Sequence, residues 1–195
     1  MSRQGIAGIL LMLFMLVVNS YAKETDIAVQ IGGDFTLTDH HGKLFRLHDH
    51  RGKVIVIFFG YTYCPDVCPT ELSMLARVLQ SLDKGAAGNN PESKKIMALF
   101  ISIDPERDST EKLKQYVSFY SPHLIGLTGS QEEIDKVADA YHVQRKIHAH
   151  QPSNKNYLVD HSANLYVVNT QGELDTIIPF GLPLEHIRQV VAATR

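Results

Sequence analysis

The sequence holds two cysteines, Cys64 and Cys68, with three residues between them. Thiols at that spacing can do two kinds of chemistry. One helical turn apart, with about 6 Å between Cα atoms, they lie within reach of a disulfide and can cycle between dithiol and disulfide. They can also converge as thiolates on one soft metal ion. The spacing permits both and does not choose.

The neighbouring residues predict where the pair sits. Residues 54–59 carry no charge and read as a strand buried on both faces. Pro69 is expected at the first helical position, where its missing amide costs nothing and its fixed φ suits a helix. The pair then occupies a strand-to-helix turn, with Cys68 at the helix N-terminus and Cys64 just ahead of it. Unpaired amides and the helix dipole favour thiolate at that place, while Asp66 between the cysteines opposes it.

Other elements must hold this turn. Residues 35–38 and 44–47 read as a hairpin closed by 39–43, with Phe45 and Leu47 on one face. Leu72, Leu75, Ala76, Leu79 and Leu82 make a helical stripe after Pro69, and 85–93 reads as a surface loop. A second buried strand is expected at 96–103. Asp104 reads as the end of that strand, and Asp108 with Glu111 as a capping box for a helix bearing Leu113, Tyr116, Val117 and Tyr120. A short strand at 124–127 precedes a helix capped by Ser130 and Glu133. Residues 142–159 are mostly polar and read as a long excursion. Strands at 165–168 and 175–178 and a final helix opened by Pro183 complete the chain.

This order predicts an α/β three-layer fold, with four or five strands, helices on both faces and an N-terminal β-hairpin. It resembles the thioredoxin arrangement. Thioredoxin-like oxidoreductases use Cys-x-x-Cys, so the spacing here is one residue longer.

At 195 residues the chain suits one domain with a sizeable core. The net charge of −2 and the scattered Lys and Arg give no sign of nucleic-acid binding. Arg3, the uncharged apolar stretch 6–18 and Ser20-Tyr21-Ala22 have the form of an export signal. The apolar stretch falls short of the roughly 18 residues that span a bilayer. Residues 1–22 are therefore expected to be a signal peptide or a retained membrane anchor, and 23–195 a domain outside the cytoplasm. That places it in the periplasm, or on the outer face of the inner membrane if the segment is kept, the only membrane association expected. In an oxidising compartment two cysteines default to a structural disulfide. A loop this short constrains the unfolded chain little, which argues against that role.

A third group must decide between redox and metal. The chain has ten histidines. His161 stands just before the strand at 165–168, and in thioredoxin-like proteins the loop entering that strand faces the cysteine turn and usually presents a proline. Here no proline occurs between Pro152 and Pro179. An imidazole beside two thiolates completes a three-coordinate site suited to Cu(I). His40, His41, His48, His50, His148 and His150 read as exposed loop residues. Tyr61 and Tyr63 flank the cysteines and read as core aromatics.

Three blocks carry a closer resemblance: residues 59–69 around the cysteines, 101–108 (Ile-Ser-Ile-Asp-Pro-Glu-Arg-Asp), and 159–162 (Val-Asp-His-Ser). Together they resemble the Sco/SenC family of copper-binding, thioredoxin-fold proteins that assemble cytochrome c oxidase. The resemblance implies copper as the bound metal, Cys64, Cys68 and His161 as its ligands, and Asp160 as a neighbour tuning the histidine loop. It implies delivery of copper to the CuA-bearing subunit of an oxidase, or reduction of the cysteines there. Other periplasmic copper chaperones or thioredoxin-like reductants are expected as further partners.

Two rival activities remain. One is a thiol-disulfide oxidoreductase with Cys64 and Cys68 as its redox-active pair, forming a disulfide when oxidised. The other is a peroxidase of peroxiredoxin type, whose Thr-x-x-Cys setting is not met because Thr62 is only two residues ahead of Cys64.

Overall fold

The charge-free run at 54–59 becomes an interior strand of a seven-stranded sheet in the computed structural model, which describes residues 31–85, 96–148 and 157–194. The expected export signal, nearly all of the loop at 85–93, and His150 lie outside the described residues. Among the described residues, no helix is long and apolar enough to cross a membrane.

The elements follow the predicted order. β1 (Thr36–Asp39) and β2 (Leu44–Arg46) form the hairpin, and a 3-10 turn (Leu47–His50) leads to β3 (Val54–Gly60). Next come α1 (Val67–Gly85), β4 (Ile96–Ser102), α2 (Thr110–Tyr120), β5 (Leu124–Thr128) and α3 (Gln131–Ala140). The chain closes with β6 (Arg145–His148), β7 (Leu158–His161), β8 (Leu165–Val168), β9 (Leu174–Ile178) and α4 (Leu184–Ala193).

The sheet order is β2-β1-β5-β4-β3-β8-β9. β3, β4 and β5 are parallel, whereas β8 runs antiparallel to β3 and β9 antiparallel to β8. The count exceeds the expected four or five because the hairpin does not stand apart. β1 pairs with β5 through Thr38 and Thr128, so both hairpin strands extend the sheet edge.

Alternation along β3 explains the absence of charge. Val54, Val56 and Phe58 enter one core with Leu72, Leu75, Val78 and Leu79 of α1, Leu113 and Val117 of α2, and Ile187 and Val191 of α4. Ile55, Ile57 and Phe59 enter the opposite core with Ile134, Val137 and Ala138 of α3. A strand covered on both faces leaves no position for a charged side chain. This is the three-layer, thioredoxin-like arrangement.

Three local expectations change. α1 begins at Val67 rather than at Pro69; Pro69 still falls among the first four helical residues, whose amides have no partner within the helix. The cap of α2 is Ser109, whose hydroxyl accepts the Lys112 N–H, and Asp108 does not serve as a cap. The polar excursion at 142–159 contains structure: β6 pairs with β7 in a separate two-stranded sheet, with Arg145 opposite His161. The capping box of α3 is formed as expected, by Ser130 and Glu133.

Candidate metal centre at the end of the central strand

The site lies at the C-terminal ends of the parallel strands, where their connecting loops converge. β3 ends at Gly60 beside Ser102 of β4, and the Ile103 N–H donates to the Gly60 carbonyl at 2.8 Å. Because β8 is antiparallel to β3, its first residue, Leu165, pairs with Phe58. The segment leading into β8 must therefore pass over the cysteine turn. Sheet direction brings His161 to the cysteines.

The Sγ atoms of Cys64 and Cys68 and a ring nitrogen of His161 all lie within 4.8 Å of one another. Cys68 is fully buried and Cys64 is partly exposed; neither is in a disulfide. The Cys68 N–H, free at the start of α1, donates to the Cys64 sulfur at 3.4 Å. Cys68 Sγ lies 3.4 Å from Nε2 of His161. Among the described residues, no other group of three or more His, Cys, Asp and Glu side chains is placed to share an ion.

The histidine tautomer follows from its neighbours. Nδ1 lies 3.0 Å from the Ser162 carbonyl, which can only accept, so Nδ1 carries the proton. That leaves the Nε2 lone pair facing the sulfurs, the state a metal ligand needs. The ring is held edge to face by Phe58 at 6.1 Å and Tyr61 at 5.9 Å.

The two thiols are polarised in opposite directions. The Cys64 thiol is drawn well below the ordinary range, first by its hydrogen bond with Cys68, against the cost of burial. The same bond, with burial, pushes Cys68 up. Cys64 is thus the thiolate and the accessible sulfur, while Cys68 is the protonated, enclosed one.

Gly60 sets how closely these groups approach. A Cβ there would stand 2.7 Å from Cys68 Sγ and 2.8 Å from the Phe100 ring. Asp108 fixes the loop ahead of Cys64. Its buried carboxylate accepts the Thr62 N–H at 3.0 Å, the Thr62 hydroxyl at 2.5 Å and the Ser102 hydroxyl at 2.7 Å. Burial raises its pKa and these bonds oppose the rise. The sequence reading assigned Asp108 to a cap and missed this role, because two of the three donors come from Thr62, 46 positions away.

Other candidates divide. Tyr61 is core, as expected, and its hydroxyl accepts the Val159 N–H at 3.2 Å. Tyr63 is not core; it is about half exposed, with Lys112 against its ring and hydroxyl. Asp160 points away to His148, 2.5 Å distant, so the metal-facing ring is not bonded to it. His161 itself ends β7 rather than lying in a free loop. The His40 and His41 rings lie 4.1 Å apart and tilted by 46° at the hairpin turn, and His50 stacks on Phe45.

A profile of the SCO1/SenC family matches residues 23–194. The chain belongs to that family. Over 143 residues, or 73% of the chain, it is 41% identical to the human mitochondrial SCO1 homolog and covers 46% of that protein. It spans about half the length of the first curated relatives it matches. The structure of Bradyrhizobium japonicum ScoI with copper bound superposes with a TM-score of 0.73 at 37% identity, covering 85% of this chain and 99% of the other. Arabidopsis thaliana ScoI with copper bound gives a TM-score of 0.73 at 35% identity, covering 83% and 96%. The match carries a family-level association with cytochrome c oxidase assembly, and the Cys64, Cys68 and His161 cluster is suited to binding copper.

Proposed function

We propose that this chain is a copper metallochaperone that carries copper on Cys64, Cys68 and His161 and delivers it to the CuA-bearing subunit of cytochrome c oxidase during assembly. The carrying observation is the convergence of two sulfurs and a deprotonated imidazole nitrogen within 4.8 Å. Two soft thiolates favour Cu(I) over harder ions, and a borderline imidazole completes a low-coordinate set. The copper is cargo. Cys64, the exposed thiolate, is the ligand a partner's sulfur reaches first, while Cys68 and His161 hold the ion from below. The working domain spans 23–195. Residues 1–22 direct it to the periplasm or tether it to the outer face of the inner membrane, where the oxidase subunit presents its cysteines.

The test is copper stoichiometry of the reduced soluble domain beside Cys64→Ala and His161→Ala. About one copper per chain, lost in both variants, supports the three-ligand site. A reduced protein that takes up no copper would overturn the reading.

A second reading rests on the polarised thiols. The Cys64 thiolate attacks a partner disulfide and forms a mixed disulfide, releasing one partner thiolate. Cys68 then loses its proton and displaces the second, leaving Cys64–Cys68 oxidised and the partner a dithiol. His161→Ala separates the two activities: copper retention collapses while thiol exchange persists.

A further inference from the structure

The strand that carries His161 lies outside the central sheet, so something else must set its height over the cysteines. β7 pairs only with β6 in the two-stranded sheet. Val159 of β7 is buried and donates its N–H to the Tyr61 hydroxyl, and a second connection to the core runs through Arg107, in the loop between β4 and α2. Its Nε donates to Asp104 Oδ2 at 2.5 Å, and its Nη1 donates to the Tyr157 carbonyl at 2.8 Å, at the residue just ahead of β7. The Tyr157 hydroxyl returns to Asp104 Oδ1 at 2.6 Å, closing a ring of three residues. The guanidinium lies over the Tyr157 ring at 3.5 Å, and 4.8 and 5.5 Å from the centroids of Tyr63 and Tyr61.

Those tyrosines belong to two segments of the site. Tyr61 and Tyr63 lie in the turn between β3 and Cys64, whereas Tyr157 stands four residues ahead of His161. One planar cation therefore touches both ligand-bearing segments. The Arg107 and Asp104 side chains are only 4% and 3% exposed. A buried ion pair is a poor source of net stability, since desolvation offsets the attraction; what it fixes is position. Arginine suits the task because its flat fork stacks on rings and bonds in set directions, which a lysine ammonium does not.

We infer that Arg107, clasped by Asp104 and Tyr157, is a positioning residue that sets the separation between the cysteine pair and His161 and so tunes the geometry and affinity of the metal site. This rests on the copper-binding reading above. Arg107 is not one of the three ligands and acts through the loops that carry them.

The test uses the reduced soluble domain with Arg107→Lys, Tyr157→Phe and, as a distant control, Arg188→Lys, whose parent pairs with Glu185 on exposed α4. Cu(I) affinity is read by competition with a chromophoric chelator, and ligand geometry by the thiolate-to-copper charge-transfer bands of the Cu(II) form. Arg107→Lys is expected to lose about 10- to 100-fold in affinity, the range for partners behind metal ligands, with displaced bands. Tyr157→Phe keeps the ring under the guanidinium and loses the Asp104 bond, so it should shift both readouts in the same direction by less. The control should match the parent.

Parent-like affinity and bands in both variants overturn the inference. So does lowered stability with an unchanged spectrum, since that is a merely structural role. If Arg107→Lys does not fold, Tyr157→Phe decides alone. Failure of the parent to bind copper would instead overturn the function itself, so the two failures are distinct.

Discussion

The Cys68 sulfur rests 3.4 Å from Nε2 of His161, although 93 positions of sequence separate the two residues. The contact joins the first turn of α1 to the end of β7. It makes one thiol a buried partner of the imidazole and leaves the other, Cys64, at the surface as the reactive one.

That asymmetry predicts alkylation behaviour. Cys64 is held well below the ordinary thiol range by the Cys68 hydrogen bond, whereas Cys68 is raised and enclosed. Iodoacetamide should modify Cys64 alone in the native reduced protein. Its rate should stay nearly flat from about pH 5 to 8, where an unperturbed thiol gains about tenfold per unit. Equal labelling of both cysteines would contradict this assignment.

Gly60 should not tolerate a side chain. In Gly60→Ala the new methyl group meets the Cys68 sulfur and the Phe100 ring at distances real Cβ atoms do not adopt. The expected cost is about 1–3 kcal/mol in denaturant unfolding, as for other overpacked cores. Copper affinity should fall with it, because the relief that costs least moves Cys68. Parent stability in this variant would mean that the loop has slack.

Asp108 accepts three donors, and an amide cannot. In Asp108→Asn the NH2 group displaces one acceptor. On the Oδ1 side the Thr62 hydroxyl must turn to accept from it and loses its own acceptor, and on the Oδ2 side the Thr62 N–H and the Ser102 hydroxyl lose theirs. A loss of about 2–3 kcal/mol is expected, with faster hydrogen exchange at the Thr62 amide. A melting temperature within about a degree of the parent would argue against the anchor.

Glu71 carries a pH dependence of its own. It is buried on α1, its Oε1 has no hydrogen-bond partner among the described residues, and burial raises its pKa from 4.5 to about 7. Between those values the folded protein holds a proton that the unfolded chain has released. This contribution to stability is therefore full below about pH 4.5, declines as pH rises, and is lost above about 7, a swing of about 3 kcal/mol at most. Glu71→Gln should flatten that slope in thermal melts and raise stability most at about pH 8. An unchanged slope would show that Glu71 ionises freely.

Much of the fold was legible because its causes are local. The charge-free run announced β3, and the stripe from Leu72 to Leu79 announced α1. Ser130 and Glu133 announced the start of α3 through bonds that span three residues. The α2 cap was misread for the same local reason: Asp108 and Ser109 are both capping types, and only the packed loop shows that the Asp108 carboxylate is engaged by Thr62 and Ser102. The β6–β7 sheet was missed because the excursion that contains it is mostly polar and its two strands are only four residues long. Arg107 stood in the 101–108 block with no role assigned, because its bond to Tyr157 spans 50 positions.

The sequence by itself determined the buried strand, the cysteine pair at its end and the helix that frees the Cys68 amide, since each follows from neighbours a few residues apart. His161 stood out among ten histidines only through the Val-Asp-His-Ser block and its expected place before a strand, not through any periodicity. The tertiary structure alone decided that its Nε2 faces the sulfurs, that Ser162 holds its other nitrogen protonated, and that Cys64 rather than Cys68 is the exposed thiolate. Those facts depend on the antiparallel register of β8 against β3 and on burial. Both are set by packing between distant segments, and no local spacing encodes them.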